Sequence, residues 1–462
     1  MTTATLLYIP LCTNTFRRRS NPITAVTAAT SNKHIHRLFS SLETVSNDSI
    51  DSDRLISKFV SSSSKSTALQ TLSHLLSHSS STSAAISMYD KITEAPWFQW
   101  NPKLAATVAA QLEKSGRLND AETLISDSVS KLTNNYRDLM LFYCSLIESS
   151  SSHYRVHHTY AILTSSSFQA AGKSRRRRGI HESMVKALCN LNSPIEAEDV
   201  MMNTKGFHPS AFEFRLVSQA YGRSGRFDEM LRVLTEMEKQ GFLVDTICSN
   251  IVLSCYGDHK QHTLSTEWMK RMRISSPSFR SVSISIRTFN VVLNSCDTLS
   301  SILLDLDTLP LSFPAVVSKI HLSSPEEAAV VSEIQTRTPE LLTQLLSQGS
   351  DGCKLDLHGC HLSTAYMVLM EWIEEMRMRF EGKAVESYDG GREEQDQVTV
   401  VCGGGKHSNV RGDSPLRKLV SKMMYRMSSP LRLDKKNNGR FISKSQKFKS
   451  WITNSESQMT IN

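Results

Sequence analysis

The sequence has no C-x-x-C pair and no long apolar segment free of charge. Its nine cysteines are scattered, at positions 12, 144, 189, 248, 255, 296, 353, 360 and 402. An odd, scattered set does not build a disulfide framework and is typical of a reducing compartment. A membrane-spanning helix needs about 18 or more apolar residues in a row, and no segment approaches that length. We therefore expect a soluble chain with no membrane partner.

Acidic residues are absent from residues 1–42. The same segment is rich in Ser and Thr, and its Lys and Arg residues are Arg17, Arg18, Arg19, Lys33 and Arg37. This composition is typical of an organellar transit peptide. The apolar run LLYIPLC precedes the arginines, which is the wrong order for a secretory signal. The sequence therefore predicts a transit peptide over residues 1–42, directed to a chloroplast, with a mitochondrion as the alternative.

Basic charge is concentrated at the other end of the chain. From residue 398 onward there are 13 Lys/Arg and 3 Asp/Glu, whereas the whole chain carries a net charge of +8. A basic segment favours an anionic partner, and nucleic acid is the first such partner to consider. The alternative is a charged face that is only solvated.

Residues 43–99 contain serine-rich, low-complexity pieces such as SSSSKS and SHSSSTSAA. This composition predicts a mobile or weakly packed region. From residue 100 the apolar residues recur at helical spacing, and residues 102–132 predict two helices that flank a turn at Ser115 and Gly116. The predicted folded part therefore begins near residue 100.

A repeat of 35 residues is the clearest internal signal. Residues 212–245 read as a helix, a glycine-containing turn at 224–226 and a second helix. Asn250 stands 35 residues after Arg215, and the pattern restarts where Asn290 stands 40 residues after Asn250. Two amphipathic helices per unit predict a helical-hairpin solenoid, in which each hairpin buries its apolar face on its neighbours.

The segments SGRFDEMLRVLTEMEKQGFLVD and TFNVVLNSC resemble the pentatricopeptide repeat (PPR) family. The resemblance covers residues 211–245 and 246–296, and in degenerate form residues 102–132, 138–168 and 180–210. It implies an all-α array that binds single-stranded RNA, one base per repeat, through two or three side chains.

The base-facing residues implied by the resemblance are Arg215 with Asp245, and Asn250 with Ser285. Arg215 departs from the small polar residue that is usual at its position. The basic run KSRRRRG at residues 173–179 predicts an exposed loop, with contact to RNA phosphates as the functional alternative. An α-solenoid that serves as a protein-binding scaffold stays open as well.

Prolines punctuate the segment that follows the repeats. They stand at positions 310, 314, 325 and 339, and residues 301–351 are expected to be a linker with one or two short helices. A second domain then begins near residue 352. Its first element, LDLHG, alternates apolar and polar residues and predicts a short strand.

The rest of this second domain predicts a small α/β sandwich. Ser363 is the expected N-cap of a helix, VTVVCG reads as a buried strand, and Ser414 with Pro415 opens another helix. The segment GRFISKSQKFKSWI predicts a closing strand with a terminal turn. If the first two strands are parallel neighbours, His358 and the loop at Gly403 lie together at one edge.

The loop VCGGGKHS suggests a nucleotide site, but neither nucleotide template fits. A phosphate loop anchored on Gly405 and Lys406 needs Gly at 400 and Ser or Thr at 407. The chain has Val400 and His407 instead. A dinucleotide fingerprint needs Gly or Ala at 408, which is Ser408. An ATPase is therefore not predicted.

A zinc site is not predicted either. Cys353, His358, Cys360 and His361 match no standard ligand spacing. Adjacent residues on an extended segment also point to opposite faces. No metal ligand set and no cofactor are expected, with a divalent metal as the alternative in a nuclease.

LDLHG followed by VCGGGKHSNVRGDSPLRKLV resembles the Smr (small MutS-related) domain, whose hallmarks are an L-D-x-H strand and a T-G-x-G loop. The likeness covers residues 352–455. It implies nucleic-acid binding and, in some members, nicking or endoribonuclease activity. Joined to PPR repeats, this domain is similar to the PPR–SMR class of plant organelles.

Carried over to this chain, the Smr resemblance makes Asp356 and His358 the acidic and general acid/base candidates. It makes the backbone N–H groups of Gly403 and Gly405 candidates for contact with a phosphate. The residues that would supply positive charge are Lys406, His407 and Arg411. Cys402 stands at the place of the loop threonine, and a thiol is a weaker hydrogen-bonding group than a hydroxyl.

These features predict a multidomain organellar RNA-binding protein. It consists of a degenerate PPR-like α-solenoid over residues 100–300, the linker, the Smr domain and a tail over residues 456–462. Its expected work is transcript processing, stability or translation, with single-stranded RNA as partner and DNA as the alternative. An RNA endonuclease, metal-assisted or metal-free, stays open, as does a non-catalytic scaffold for protein partners of organellar gene expression.

Overall fold

The computed structural model describes residues 37–42, 49–77, 82–165, 168, 174–273, 282–305, 312–346, 353–382, 397–403 and 414–454. The chain divides into an N-terminal unit, Met1–Ala187, and a C-terminal unit, Leu188–Asn462. The predicted transit peptide lies outside the described residues except for a helical stretch at 37–42, and the predicted tail lies outside them entirely. Among the described residues, none of the helices combines the length and the apolar character that a membrane span requires.

The N-terminal unit is built from helices. They are α1 (Ser49–Ser62), α2 (Lys65–Ser77), α3 (Thr82–Thr93), α4 (Pro102–Lys114), α5 (Leu118–Leu132), α6 (Tyr136–Ser149), α7 (His153–Thr164) and α8 (Ser174–Asn190), the last of which crosses the unit boundary. Helices α4 and α5 flank a turn in which Gly116 has a φ of +81°. The predicted helical hairpin over residues 102–132 is therefore confirmed.

The serine-rich region is packed, so the expectation of a mobile or weakly packed segment over residues 43–99 is wrong for α1 to α3. Ile56, Leu72 and Ile92 are fully buried in one apolar cluster. Exposed serines of these helices donate to carbonyls one turn earlier, as Ser61 Oγ does to the Ser57 oxygen at 2.8 Å. The apolar residues recur every three or four positions among the serines, and this periodicity outweighs the composition.

The repeat region of the C-terminal unit consists of helical hairpins. Its helices are α9 (Pro194–Asn203), α10 (Ala211–Arg223), α11 (Phe227–Lys239), α12 (Thr246–Asp258), α13 (His262–Arg273), α14 (Ile286–Asn294) and α15 (Asp297–Leu304). The turn between α10 and α11 lies where the sequence predicts it, at residues 224–226. Helix α10 packs on α12, and α12 packs on α14, as the predicted solenoid requires.

Glycines allow the first helices of successive hairpins to approach each other. A Cβ on Gly222 of α10 would lie 2.5 Å from the Cys255 sulfur of α12. A Cβ on Gly257 of α12 would lie 2.8 Å from the Cβ of Ser295, which follows α14. The two glycines stand 35 residues apart, so the period of the sequence is the period of this close contact.

The predicted linker over residues 301–351 is folded as well. It contains α16 (Phe313–Ser323), α17 (Pro325–Gln335) and α18 (Thr338–Leu345), and α17 packs on α13 and α14. Pro314, Pro325 and Pro339 each lie in the first turn of a helix, where the missing N–H and the fixed φ of proline cost nothing. The interpretation as a linker is wrong because these prolines begin helices instead of interrupting them.

The last part of the C-terminal unit holds a four-stranded sheet of order β1-β2-β4-β3. The strands are β1 (Lys354–Asp356), β2 (Gln397–Val401), β3 (Arg432–Leu433) and β4 (Arg440–Lys444), and the helices are α19 (Leu362–Gly382), α20 (Pro415–Arg426) and α21 (Ser445–Asn454). Strands β1 and β2 are parallel, whereas β4 is antiparallel to both β2 and β3. Buried Trp372 and Phe448 meet between α19 and α21, with ring centroids 5.5 Å apart.

Two local predictions for this sheet need correction. Helix α19 begins at Leu362, so Ser363 lies inside the helix and is not its N-cap. The closing segment forms β4 followed directly by α21, a helix of 10 residues where a terminal turn is predicted. The start of α20 at Pro415 is confirmed, with the Ser414 hydroxyl accepting from the Arg417 N–H at 3.2 Å.

Candidate nucleic-acid interface

One edge of the sheet collects the residues that the Smr resemblance singles out. Asp356 ends β1 and pairs with Val401, which ends the parallel strand β2. The Leu357 N–H continues this pairing by donating to the Val401 carbonyl at 2.9 Å. Because parallel strands end at the same edge of a sheet, His358 and Gly403 are neighbours, as the sequence predicts.

Asp356 and His358 form a hydrogen-bonded pair at this edge. The Asp356 carboxylate accepts from the His358 backbone N–H at 2.9 Å, and the same oxygen lies 2.9 Å from His358 Nδ1. A carboxylate can only accept a hydrogen bond, so Nδ1 must carry the proton. Both side chains are open to solvent, at 62% exposure for His358 and 45% for Asp356. The pair therefore presents Nε2 of a fixed imidazole to an incoming ligand.

Gly403 stands directly against this imidazole. Its φ is +78°, and a Cβ at this position would lie 2.8 Å from His358 Nε2. Only glycine adopts this backbone conformation and leaves this space without strain. Gly403 thus sets the room available at the reactive nitrogen.

The amide of Gly403 has a partner within the protein. The N–H groups of Cys402 and Gly403 both donate to the Gly439 carbonyl, at 2.8 and 3.0 Å. The expectation that the Gly403 N–H faces a phosphate is therefore wrong, because that donor is already used between β2 and β4. Gly405, Lys406, His407 and Arg411 lie outside the described residues.

Cys402 faces the interior, although its place in the motif belongs to a hydroxyl. The residue is buried, and burial raises the pKa of its thiol to about 12, with the nearby Asp356 charge acting in the same direction. Cys360 behaves in the same way, and burial raises its pKa to about 12. Both sulfurs stay protonated at neutral pH and are weak hydrogen-bonding groups, not nucleophiles.

The first implied pair of base-facing residues is brought together. Arg215 is the fifth residue of α10, and Asp245 is the N-cap of α12. The guanidinium Nη2 donates to Asp245 Oδ2 at 2.8 Å, and Asp245 Oδ1 accepts from the Cys248 N–H at 3.0 Å. The positive charge of Arg215 is thus balanced by a neighbouring carboxylate.

In the second implied pair of base-facing residues, the two side chains differ in their hydrogen bonding. Asn250 is the fifth residue of α12 and is 7% exposed, and within the described part of the chain its Oδ1 has no hydrogen-bond partner. Ser285 is the N-cap of α14, where it forms a capping box with Thr288. The Asn250 oxygen is therefore unpaired and enclosed, whereas the Ser285 hydroxyl caps its helix.

Sequence reasoning missed the contacts that Asn290 makes. This residue is the fifth of α14, and its Nδ2 donates to the Gly359 carbonyl at 2.7 Å while its Oδ1 accepts from the His361 N–H at 2.9 Å. Asn294, one turn later, lies with its Nδ2 2.5 Å from His361 Nδ1. The repeat spacing identified Asn290 as the start of a unit, but no signal in the sequence identified its partner.

The basic run at 173–179 is not the predicted loop in its described part. Helix α8 begins at Ser174, so the run lies in the first turns of that helix. Arg178 is exposed there. The expectation of a loop is therefore wrong for residues 174–179.

The sequence of this chain matches a family model and a known relative. The family model for the PPR repeat matches residues 216–242. A pentatricopeptide repeat-containing protein of Arabidopsis thaliana is 40% identical over 435 residues, which cover 91% of this chain and 82% of the relative.

Solved structures of maize PPR10 are similar to this chain at a low level. The crystal structure of PPR10 is 13% identical, with 79% of this chain and 69% of that chain covered at a TM-score of 0.26. The complex of PPR10 with an 18-nt psaJ RNA element is 14% identical, with 79% and 64% covered at the same TM-score. These values denote a weak structural likeness.

Proposed function

Because this chain belongs to the pentatricopeptide repeat family, we propose that its hairpin array binds single-stranded RNA. Repeats of this kind read one base each with two or three side chains. The observation that carries the proposal is the recurrence of a polar residue, Arg215 and then Asn250, at the fifth position of the first helix in successive hairpins.

Selection from a random pool of single-stranded RNA tests this proposal. The full chain is incubated with the pool, the bound RNA is sequenced, and Asn250→Ala is compared with Asn119→Ala, a change at an exposed position of α5. We expect the wild type to enrich a short motif and Asn250→Ala to lose the base preference at one position of it. A wild-type chain that enriches no RNA over the starting pool would overturn the proposal and leave the protein-binding scaffold as the better interpretation.

We further propose that residues 352–455 are an Smr-type domain and that this domain cleaves RNA. The Asp356–His358 pair favours this second function, because a carboxylate-bound imidazole on a largely exposed side chain is a suitable general base. In the proposed step Nε2 takes the proton of a ribose 2′-hydroxyl, whose oxygen attacks the adjacent phosphorus. The bond from phosphorus to the 5′-oxygen breaks, and that oxygen takes up a proton from solvent.

No step is routed through a metal ion. Among the residues that the structure describes, no three His, Cys, Asp or Glu side chains converge as ligands. The carboxylate of Asp356 is already engaged by the His358 ring and backbone.

Cleavage is tested with labelled RNA and the full chain. We expect products that end in a cyclic phosphate, and we expect Asp356→Ala and His358→Ala to abolish them while RNA binding persists. A 2′-deoxy substitution at the cut position should block cleavage. Intact RNA under conditions of tight binding would refute the nuclease and leave the binding proposal standing.

We also propose that this activity serves transcript processing, stability or translation in a chloroplast. The acid-free, hydroxyl-rich composition of residues 1–42 supports this location. A fusion of that segment to a fluorescent protein, expressed in leaf cells, should colocalise with chlorophyll. Fluorescence in mitochondria would favour the alternative organelle.

A further inference from the structure

Asn290 occupies the position in its hairpin that Arg215 and Asn250 occupy in theirs. Each is the fifth residue of the first helix, in α14, α10 and α12 respectively. The family resemblance implies that the residue at this position faces a base. The question is whether the third of these residues can do so.

The amide of Asn290 binds the protein through one N–H and through its oxygen. Its donor and its acceptor bind backbone groups of the turn that follows β1, the Gly359 carbonyl and the His361 N–H. An Asn pairs with the edge of a base through one N–H and its oxygen, so such a two-bond contact with a base would compete with the bonds to the turn.

The turn bound by Asn290 carries the candidate catalytic pair. It begins at the end of β1 and is closed by the Cys360 N–H, which donates to the Leu357 carbonyl at 3.1 Å. Between these residues stand His358 and Gly359, the latter with a φ of +82°. Because His358 lies between two residues that are held in place, its imidazole depends on the position of this turn.

A second contact supports the first from the same helix face. Residues four apart lie one above the other on a helix, and Asn294 follows Asn290 by four. Its amide Nδ2 lies 2.5 Å from His361 Nδ1. Helix α14 also packs against α19, the helix that follows the turn.

We infer that Asn290 is a positioning residue and does not read a base. It fixes the turn at 357–361, and with it His358, on the hairpin of α14 and α15. The inference rests on the proposed RNA binding. Base reading by the array ends at the Asn250 hairpin, and the next hairpin supports the turn that carries the Asp356–His358 pair. The proposed RNA binding and the proposed cleavage are therefore linked through the contact between Asn290 and this turn.

The contact between Asn290 and the turn at 357–361 is tested by hydrogen exchange of the full chain. Asn290→Ala removes both bonds, and Asn290→Asp keeps the acceptor for His361 but sets an oxygen against the Gly359 carbonyl. We expect amides of residues 357–361 to exchange at least about fivefold faster in both variants, and to be unchanged in Asn119→Ala. Exchange equal to wild type in both variants would overturn the inference.

A spectroscopic readout separates positioning from general loss of stability. The ¹⁵N signal of His358 Nδ1 reports its bond to Asp356, and His358→Gln assigns it in spectra of the full chain. We expect this signal to move in Asn290→Ala and to stay in Gly222→Ala, a change that strains the α10–α12 contact instead. A signal that moves equally in both variants would reduce Asn290 to a structural role and overturn the inference.

RNA selection decides whether Asn290 reads a base. We expect Asn290→Ala to keep the base preference of the wild type at every position of the enriched motif, whereas Asn250→Ala changes it at one. A preference altered by Asn290→Ala at a single RNA position would overturn the inference. If the wild type enriches no RNA, the proposed function is the one that fails, and the exchange experiment still decides whether Asn290 holds the turn.

Discussion

Gly403 lies so close to His358 that a methyl group on its Cα would approach the imidazole Nε2 to 2.8 Å. The two residues each follow one of the neighbouring parallel strands β1 and β2 and meet just beyond the strand ends. The space at Nε2 is therefore set by a residue that makes no hydrogen bond to the ring.

Replacement of Gly403 by alanine should displace the His358 ring. The new methyl group requires either the ring or the backbone to move, and the φ of +78° adds strain. We expect a shifted His358 signal in ¹⁵N NMR and at least about tenfold slower RNA cleavage, since a small misplacement of a base costs that much.

Gly241→Ala is the matched control, because Gly241 has a φ of +87° and nothing within 4 Å of an added Cβ. It should carry the backbone strain without the contact to the ring. Equal effects of both substitutions on His358 would contradict the steric argument.

Replacement of Gly222 by alanine should destabilise the repeat array. The added Cβ would meet the Cys255 sulfur at 2.5 Å and the Met230 sulfur at 2.6 Å, and overpacking of this kind costs about 1–3 kcal/mol. Denaturant unfolding followed by circular dichroism measures the loss. The double variant with Cys255→Ala should recover part of it.

Gly179→Ala provides the comparison, because this glycine lies in α8 with open space around an added Cβ. Alanine favours a helix over glycine by about 0.5–1 kcal/mol, so this variant should be neutral or more stable. A Gly222→Ala protein as stable as Gly179→Ala would show that successive hairpins do not pack as closely as described.

Release of Arg215 from its carboxylate should strengthen its contact with RNA. Asp245→Asn removes the charge but keeps a good N-cap for α12, so the helix should be preserved. A freed guanidinium adds about one phosphate contact, which steepens the salt dependence of single-strand binding by about 0.7 in log–log slope.

Affinity for a labelled RNA measured over a series of salt concentrations gives this slope. Asp127→Asn, at an exposed position of α5, changes the net charge equally and should leave the slope as in the wild type. The wild-type slope should itself be steep and negative. A flat wild-type response would argue against phosphate contact altogether.

Acid should weaken the N-terminal unit through His181. Burial lowers the pKa of this imidazole, whose Nδ1 lies 2.7 Å from the Tyr160 hydroxyl. Because the folded-state pKa lies below the unfolded value of about 6.5, the unfolded chain binds the proton first. The stability is therefore present above that value and is lost as pH falls toward the folded pKa.

Free energies of unfolding at about pH 7.5 and about pH 5.5 should differ more for the wild type than for His181→Gln. His321→Gln, at an exposed histidine of α16, should behave as the wild type does. An identical pH dependence in all three proteins would contradict the assignment to His181.

The sequence predicted those features that depend on local spacing. The hairpin over residues 211–245 was predictable because glycines, caps and apolar residues recur at fixed intervals. LDLHG and VTVVCG were each predicted as strands, whereas their parallel pairing was stated only as a condition and is seen in the sheet. The packed helices α1 to α3 were missed because serine content was weighed above the apolar period that buries Leu72 and Ile92. Helices α16 to α18 were missed because the prolines were interpreted as helix breaks, although one stands in the first turn of each of these helices.

The contact between Asn290 and the turn at 357–361 could not have been predicted in this way. Asn290 and Gly359 are 69 residues apart, and their contact exists only after α14 and α19 have packed together. The use of the Gly403 amide by Gly439 has the same origin, since it depends on β2 pairing with β4. Such contacts arise from tertiary structure and leave no period in the sequence.

The Gly439 carbonyl accepts from both Cys402 and Gly403. These two bonds also determine how sensitive the candidate site at the sheet edge is to substitution. A site built from backbone amides survives almost any substitution, because every residue except proline carries the donor. Here the Gly403 amide is already bonded within the sheet, so the proposed cleavage depends on the His358 side chain instead. A single substitution at His358 would therefore abolish the proposed cleavage and leave the fold and the proposed RNA binding intact.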